Sequence, residues 1–202
     1  MSTSVTVFTC DMCDFKASGK IVWGRFYYQL SGSSLIPLER ELGWCSSCKT
    51  LVPVERLSIN NAIYDEIQSQ KVDLTRYEAE LLNLENRSFF IKRLMSSKKK
   101  EEIKKNIAYT QRVLKEKLEL VNILSSRKTP PRCLICSSDE VISYKFPSIS
   151  DDEPPEKRYL TGFIHPDCGG NIMISNSGIR LMIKMKSRAY STEGVLIKEW
   201  YE

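Results

Sequence analysis

All seven cysteines and the single histidine of this 202-residue chain fall in close pairs. Cys10 and Cys13, Cys45 and Cys48, and Cys133 and Cys136 are C-x2-C pairs, and His165 and Cys168 make an H-x2-C pair. No ligand-type sulfur or imidazole is left over. A tetrahedral ion such as zinc takes four N or S ligands, two from one tight turn and two from another. Four pairs therefore predict two complete sites, with two structural Zn2+ ions per chain. Iron remains a rival, because sulfur-rich tetrahedral sites suit both metals. Disulfides would leave one of seven cysteines unpaired, and a thioredoxin-like redox pair would need C-x-x-C opening a helix in a βαβ pattern. Here each pair lies between strand-like runs.

The pairing expected is sequential: Cys10 and Cys13 with Cys45 and Cys48, then Cys133 and Cys136 with His165 and Cys168. Each set would enclose its own hairpin, whereas crossed pairing must close across the whole middle of the chain. Three modules follow: a four-cysteine zinc ribbon over 1–56, a helical hairpin over 57–128, and a zinc ribbon with three cysteines and a histidine over 129–202. The fold class is α+β. Val5–Phe8, Ile21–Trp23, Arg25–Tyr28 and Thr50–Val54 read as strands of the first module, with a turn at Ser31–Ser34. Val141–Phe146, Asn171–Ile174, Ile179–Lys186 and part of Ala189–Tyr201 read as strands of the last. Ser175–Gly178 reads as a hairpin turn, and the acidic loop 148–156 (SISDDEPPE) as solvated, Asp151, Asp152 and Glu153 included.

The middle contains no Gly or Pro over 57–127. Leu74, Tyr77, Leu81, Leu84, Ser88, Ile91 and Met95 recur three and four apart, as do Ile103, Ile107, Thr110, Leu114, Lys117, Val121 and Leu124. Each set is a heptad stripe. The predicted turn is Ser96–Lys100. An antiparallel coiled-coil hairpin then sets Met95 by Ile103, Ile91 by Ile107, Ser88 by Thr110, Leu84 by Leu114, Tyr77 by Val121 and Leu74 by Leu124. Residues 57–70 would form a separate or overhanging helix, with Ile59, Ile63 and Ile67 on the first ribbon.

Composition narrows the function. The net charge of +5 is concentrated in residues 57–128. No run of 18 apolar residues suggests a membrane span, and the first residues carry no secretory pattern, so a cytoplasmic location is expected. With the only histidine and every thiol committed to metal, no general base or thiol nucleophile is evident. No phosphate-cradling glycine motif occurs. The expectation is a non-enzymatic interaction or adaptor protein with a macromolecular partner, protein or nucleic acid, and no small-molecule substrate. For nucleic acid, two basic sets compete: Lys98, Lys99, Lys100, Lys104 and Lys105 at the hairpin tip, and Arg180, Lys184, Lys186 and Arg188 along one face of a strand 179–188. Trp23, Phe26, Tyr27 and Tyr28 could stack on bases, but core packing is the preferred reading of these aromatics.

The knuckle–hairpin–knuckle segment Cys10–Cys48 resembles zinc ribbons. The segment Cys133-x2-Cys136…His165-x2-Cys168-Gly169-Gly170 resembles ribbons that hold zinc by three cysteines and a histidine. The overall layout is similar to that of uncharacterised bacterial proteins in which two zinc ribbons flank a coiled-coil hairpin. Ribbons serve transcription, ribosomes and protein assembly alike, so the resemblance implies a fold more than a function.

Overall fold

The structure is a computed structural model describing residues 3–30, 34–59, 61–86, 97–150, 152–181 and 185–201. It divides into two units: Met1–Leu57 together with Arg127–Glu202, and Ser58–Ser126.

The first unit is β-rich. In chain order its strands are β1 (Thr3–Cys10), β2 (Lys16–Ser18), β3 (Arg25–Gln29), β4 (Leu35–Pro37), β5 (Arg40–Cys45), β6 (Thr50–Glu55), β7 (Val141–Ser143), β8 (Tyr159–Ile164), β9 (Asn171–Leu181), β10 (Lys186–Tyr190) and β11 (Leu196–Tyr201). They form three sheets, in the orders β2-β1-β9-β8, β11-β10-β3-β4 and β6-β5-β7. Each sheet joins an N-terminal strand to a C-terminal one. Val7 faces Ser175 across β1–β9, Tyr27 lies beside Ala189 in the parallel pair β3–β10, and Trp44 faces Ile142 across β5–β7. The two ends of the chain are thus interleaved into one body. The expected pair of separate flanking ribbons is corrected accordingly.

The core shows the same interleaving. Phe8, Trp44 and Leu51 pack with Phe163, Ile172 and Ile174, and Phe15, Tyr144 and Phe146 close over them. Phe146 meets both Phe8 and Phe163 at ring-centroid distances of 5.1 and 5.7 Å. The buried core is thus built from residues of both halves.

Two local expectations change. Ile21 and Val22 lie in a 3-10 turn, Gly19–Val22, not a strand. Ser175–Gly178 is not a hairpin, because β9 runs straight through it. There β1 pairs Ser4 with Arg180 and Thr6 with Asn176, so three residues of β9 oppose one of β1. The turn-type residues are spent on this bulge, where Gly178 takes φ +70°. Of the predicted turn Ser31–Ser34, residues 31–33 lie outside the described residues.

Where the chain leaves the β unit and where it returns, two buried charges meet. Glu55, at the end of β6, and Arg127 are 0% and 1% exposed, and Arg127 Nη2 lies 2.8 Å from Glu55 Oε2. Arg127 Nη1 donates to Glu55 Oε1 at 3.1 Å, making the fork bidentate. Glu55 also accepts from the Tyr28 hydroxyl at 3.0 Å and the Arg132 N–H at 2.9 Å. Arg127 donates further to Thr129 Oγ1 and the Thr192 carbonyl. Gly194 passes so close that a Cβ there would meet the Glu55 carboxylate at 2.5–2.7 Å. Burying such a pair is tolerable only because its hydrogen bonds are so completely made.

The second unit holds two helices packed on one another, α1 (Asn61–Glu85) and α2 (Ser97–Ser126), about 37 and 45 Å long. Ile63 and Ile67 are buried, and Leu74, Tyr77, Leu81 and Leu84 continue their stripe half-buried. On α2 the stripe is Ile103, Thr110 and Leu124, buried, with Ile107, Leu114, Lys117 and Val121 half-buried. The stripes have the expected phase but not the expected register. Glu66 pairs with Lys117, Glu80 with Lys99 and Glu85 with Lys100. The helices are therefore antiparallel, with Leu84 near the first turn of α2 instead of opposite Leu114. Residues 61–70 belong to α1 itself and do not form a separate helix. Ser97–Lys100, expected as the turn, opens α2. Arg87, Ser88, Ile91, Lys92, Arg93, Met95 and Ser96 lie outside the described residues. A heptad stripe fixes which face is buried but slides by whole heptads without penalty in pattern, so the pattern does not place the turn.

Candidate metal centres

Two clusters bring all eight predicted ligands together, but in crossed combination. Cys10, Cys13, His165 and Cys168 form one, and Cys45, Cys48, Cys133 and Cys136 the other, with the ligand atoms of each within 4.8 Å of one another. The sequential pairing is thus overturned. Its premise was the cost of closing a loop across the middle of the chain. That cost grows only logarithmically with loop length, and the Glu55–Arg127 contact already brings exit and return together.

The first cluster sits where β1 ends. Cys10 is in register with Ile172 of β9, so the knuckle after β1 meets the β8–β9 loop. That loop is tied by the His165 N–H to the Gly170 carbonyl at 2.7 Å and the Gly169 N–H to the His165 carbonyl at 2.8 Å. Asp11 clamps across, its Oδ1 accepting the Asn171 N–H at 2.7 Å and its Oδ2 the Asn171 Nδ2 at 2.9 Å. These bonds hold the Asp11 carboxyl below the usual carboxylate range. The glycines after Cys168 have separate reasons. Gly169 takes φ +76°, and a Cβ on Gly170 would sit 2.5 Å from the Cys10 sulfur.

The second cluster uses β5, β6 and β7. Cys45 faces both Thr50 and Val141, and Cys133 bridges to Val54. The Leu134 N–H reaches the Pro53 carbonyl at 2.9 Å. In three of the four knuckles the residue after the second ligand is left-handed: Lys49 (φ 52°), Ser137 (φ 62°) and Gly169. This turn folds the two ligands of a pair back toward one point.

The spacing fits a tetrahedral ion. Zinc–sulfur bonds of about 2.3 Å imply sulfur–sulfur edges of about 3.8 Å. The sulfurs of Cys10 and Cys168 lie 3.4 Å apart, Cys13 and Cys168 3.5 Å, Cys45 and Cys136 3.6 Å, and Cys48 and Cys133 3.9 Å. His165 presents Nδ1, 3.0 Å from the Cys168 sulfur and 3.4 Å from that of Cys13. Its Nε2 is buried with no hydrogen-bond partner among the described residues, and its ring lies between Phe15 and Trp44 at 4.7 and 5.0 Å. Phe15 and Trp44 pack against this imidazole.

Crowded thiols compete for negative charge. Burial, opposed by the N–H groups of Cys136 and Ile135 and reinforced by Cys136 and Cys45, pushes Cys133 up to about 12. The Gly170 backbone pulls Cys168 down, but burial and the Cys10 and Cys13 thiols outweigh it and hold it at about 11. Burial and the neighbouring thiols also push Cys48 up. Against burial, the Met12 N–H and the adjacent thiols draw Cys10 down, and the Ser138 N–H and its neighbours draw Cys136 down. A cation at the centre removes this competition. Four protein ligands surround each centre, so the clusters suit closed, structural metal sites.

The basic candidates are dispersed. Lys99 and Lys100 pair with α1 carboxylates and Lys105 with Glu101 at 3.1 Å, while Lys98 and Lys104 share that helix. The run 179–188 is not one strand. Arg180 is on β9, Lys186 and Arg188 are on β10 in another sheet, and Lys184 lies outside the described residues. Lys186 and Arg188 share Glu199, at 2.5 and 3.6 Å. Of the aromatics, Phe26 and Tyr28 are buried, Trp23 and Tyr27 half-buried.

Sequence reading places Gly169 and Gly170 in the motif after Cys168 but misses Asp11 and the Glu55–Arg127 pair, which nothing local marks. Among the described residues, no helix is long and apolar enough to cross a membrane. Comparison with protein-family models, curated proteins and solved structures finds no match, so the metal clusters, and no kinship, carry the functional reading.

Proposed function

We propose that this chain is a non-catalytic zinc protein in which two structural ions staple the ends of the chain into one β body that presents surfaces to a macromolecular partner. One observation carries the reading: each four-ligand set takes two ligands from residues 10–48 and two from residues 133–168. Each ion is thus a cross-link between distant segments, placed where β1 meets β9 and where β5 meets β6 and β7. The donor sets, four thiolates in one and three thiolates with an imidazole in the other, and the closed coordination suit structural zinc. With every histidine and thiol engaged, no nucleophile or general base of those types remains for catalysis.

A basic hairpin tip reading nucleic acid gains little support, since Lys99, Lys100 and Lys105 already face carboxylates. Elemental analysis of the purified protein tests the zinc reading. About two equivalents per chain are expected from four ligands each, and one or none would overturn it. The partner-binding half is tested by cross-linking in cells, where recovery of the chain alone counts against an adaptor.

A further inference from the structure

A groove of about 480 Å³ opens between the 3-10 turn Gly19–Val22 and strands β10 and β11. Its wall is apolar and aromatic: Ile21, Trp23, Leu51, Met185 and Tyr201 line it. Its charge is of one sign. Lys20, Lys186 and Arg188 line it, and among the described residues no carboxylate does. Glu199 lies behind, pairing with both Lys186 and Arg188, and a single carboxylate cannot balance two cations. Arg188 Nη1 finds no acceptor among the described residues.

Two hydrogen bonds hold the turn that carries Lys20 and leads into Trp23. Ser18 Oγ accepts the Lys20 N–H at 3.4 Å, and the Trp23 N–H closes the turn on the Lys20 carbonyl at 3.0 Å. Lys20, exposed, and Trp23, half-buried and the extended cap of the turn, both line the groove. Gly24, at φ +117°, fixes the floor. A Cβ there would lie 2.4 Å from the Lys186 carbonyl. The larger groove beside it, lined by Arg25, Glu39, Arg40 and Glu41, differs in kind. It mixes both signs of charge, and Arg40 is spent on the carbonyls of Val22 and Gly24.

We infer that the Trp23 groove binds a nucleotide unit, its base against the indole of Trp23 and its phosphate on Lys20 at the rim, with Lys186 and Arg188 supplying positive potential from the floor. An aromatic wall beside one-signed cations is the arrangement that suits a flat base joined to a phosphate, and the volume is that of an ordinary ligand site. The inference names the partner chemistry of the function proposed above and rests on its partner-binding half, not on the metal sites. A free nucleotide and one within a single strand share this chemistry.

Binding is measured by intrinsic fluorescence and calorimetry on the full zinc-loaded chain, with adenosine monophosphate and a short polyuridine strand as probes at low salt. Saturable binding of either probe is expected, and which one binds distinguishes the two sources. Lys20→Glu and Trp23→Leu should each weaken it about tenfold or more, the loss typical of one stacked base or phosphate contact. Trp23→Phe should retain most of it, which controls for misfolding. Zinc content of every variant is read in parallel, so loss of the metal reading and loss of this one are told apart. No binding of either probe by the wild-type chain, or binding by Lys20→Glu and Trp23→Leu as tight as that of the wild type, overturns the inference.

Discussion

The β body and the helix pair are held together in opposite ways. The helix pair is local: α1 and α2 follow one another, and their seam repeats at a spacing that any reader of the sequence can count. The β body is non-local: Cys10 meets Cys168, Glu55 meets Arg127 and Trp44 meets Ile142. The first is stabilised by many small apolar contacts spread along two helices. The second joins distant segments at two candidate metal clusters and one buried ion pair, each of which spans both halves of the chain. Damage should therefore be graded in the helix pair and abrupt in the β body.

The largest effect is expected at the metal sites, where a structural zinc ion contributes on the order of 10 kcal/mol to folding. Crossed pairing makes a sharp forecast. Cys10→Ser with Cys168→Ser should remove one zinc equivalent, because both residues serve one ion, whereas Cys10→Ser with Cys45→Ser should remove both. Mass spectrometry of the native protein reads the count, and the reverse pattern would restore sequential pairing and sink the interleaved β body.

Next in size is Arg127→Ala. It leaves Glu55 buried without its charged partner and should cost about 3–5 kcal/mol, read as a lower denaturation midpoint. A surface-like tolerance of that change would show that the junction is not a point of concentrated stability. In the helix pair, Ile67→Ala removes a side chain that is 4% exposed and should cost roughly 2–5 kcal/mol. Leu82→Ala, on an exposed position of the same helix, should cost far less, so the pair of variants measures how sharply the seam is defined.

The smallest effect sharpens the register. Lys117→Glu places a carboxylate against Glu66 and should destabilise by less than about 1 kcal/mol, as exposed ion pairs do. Adding Glu66→Lys should restore the loss. No restoration would mean that Glu66 and Lys117 are not neighbours, and the observed register would fall with them.

Much of the molecule is legible in the sequence, for identifiable reasons. The eight ligands are readable because the chemistry of a tetrahedral site demands those residue types two by two. The helical stripes from Leu74 to Leu84 and from Ile103 to Leu124 are readable because periodicity is a property of neighbouring residues. The bulge at Ser175–Gly178 reads as a hairpin because the same residues serve either purpose, and only the presence of β1 alongside decides between them.

By itself, then, the sequence determined what each segment is able to be: which residues can ligate a metal, which face of each helix is apolar and where strands can form. The tertiary structure alone decided which segments meet. Pairing of knuckles, order of strands and register of helices depend on contacts between residues far apart in the chain. Their free energies come from burial shared between distant segments, and no local pattern records them.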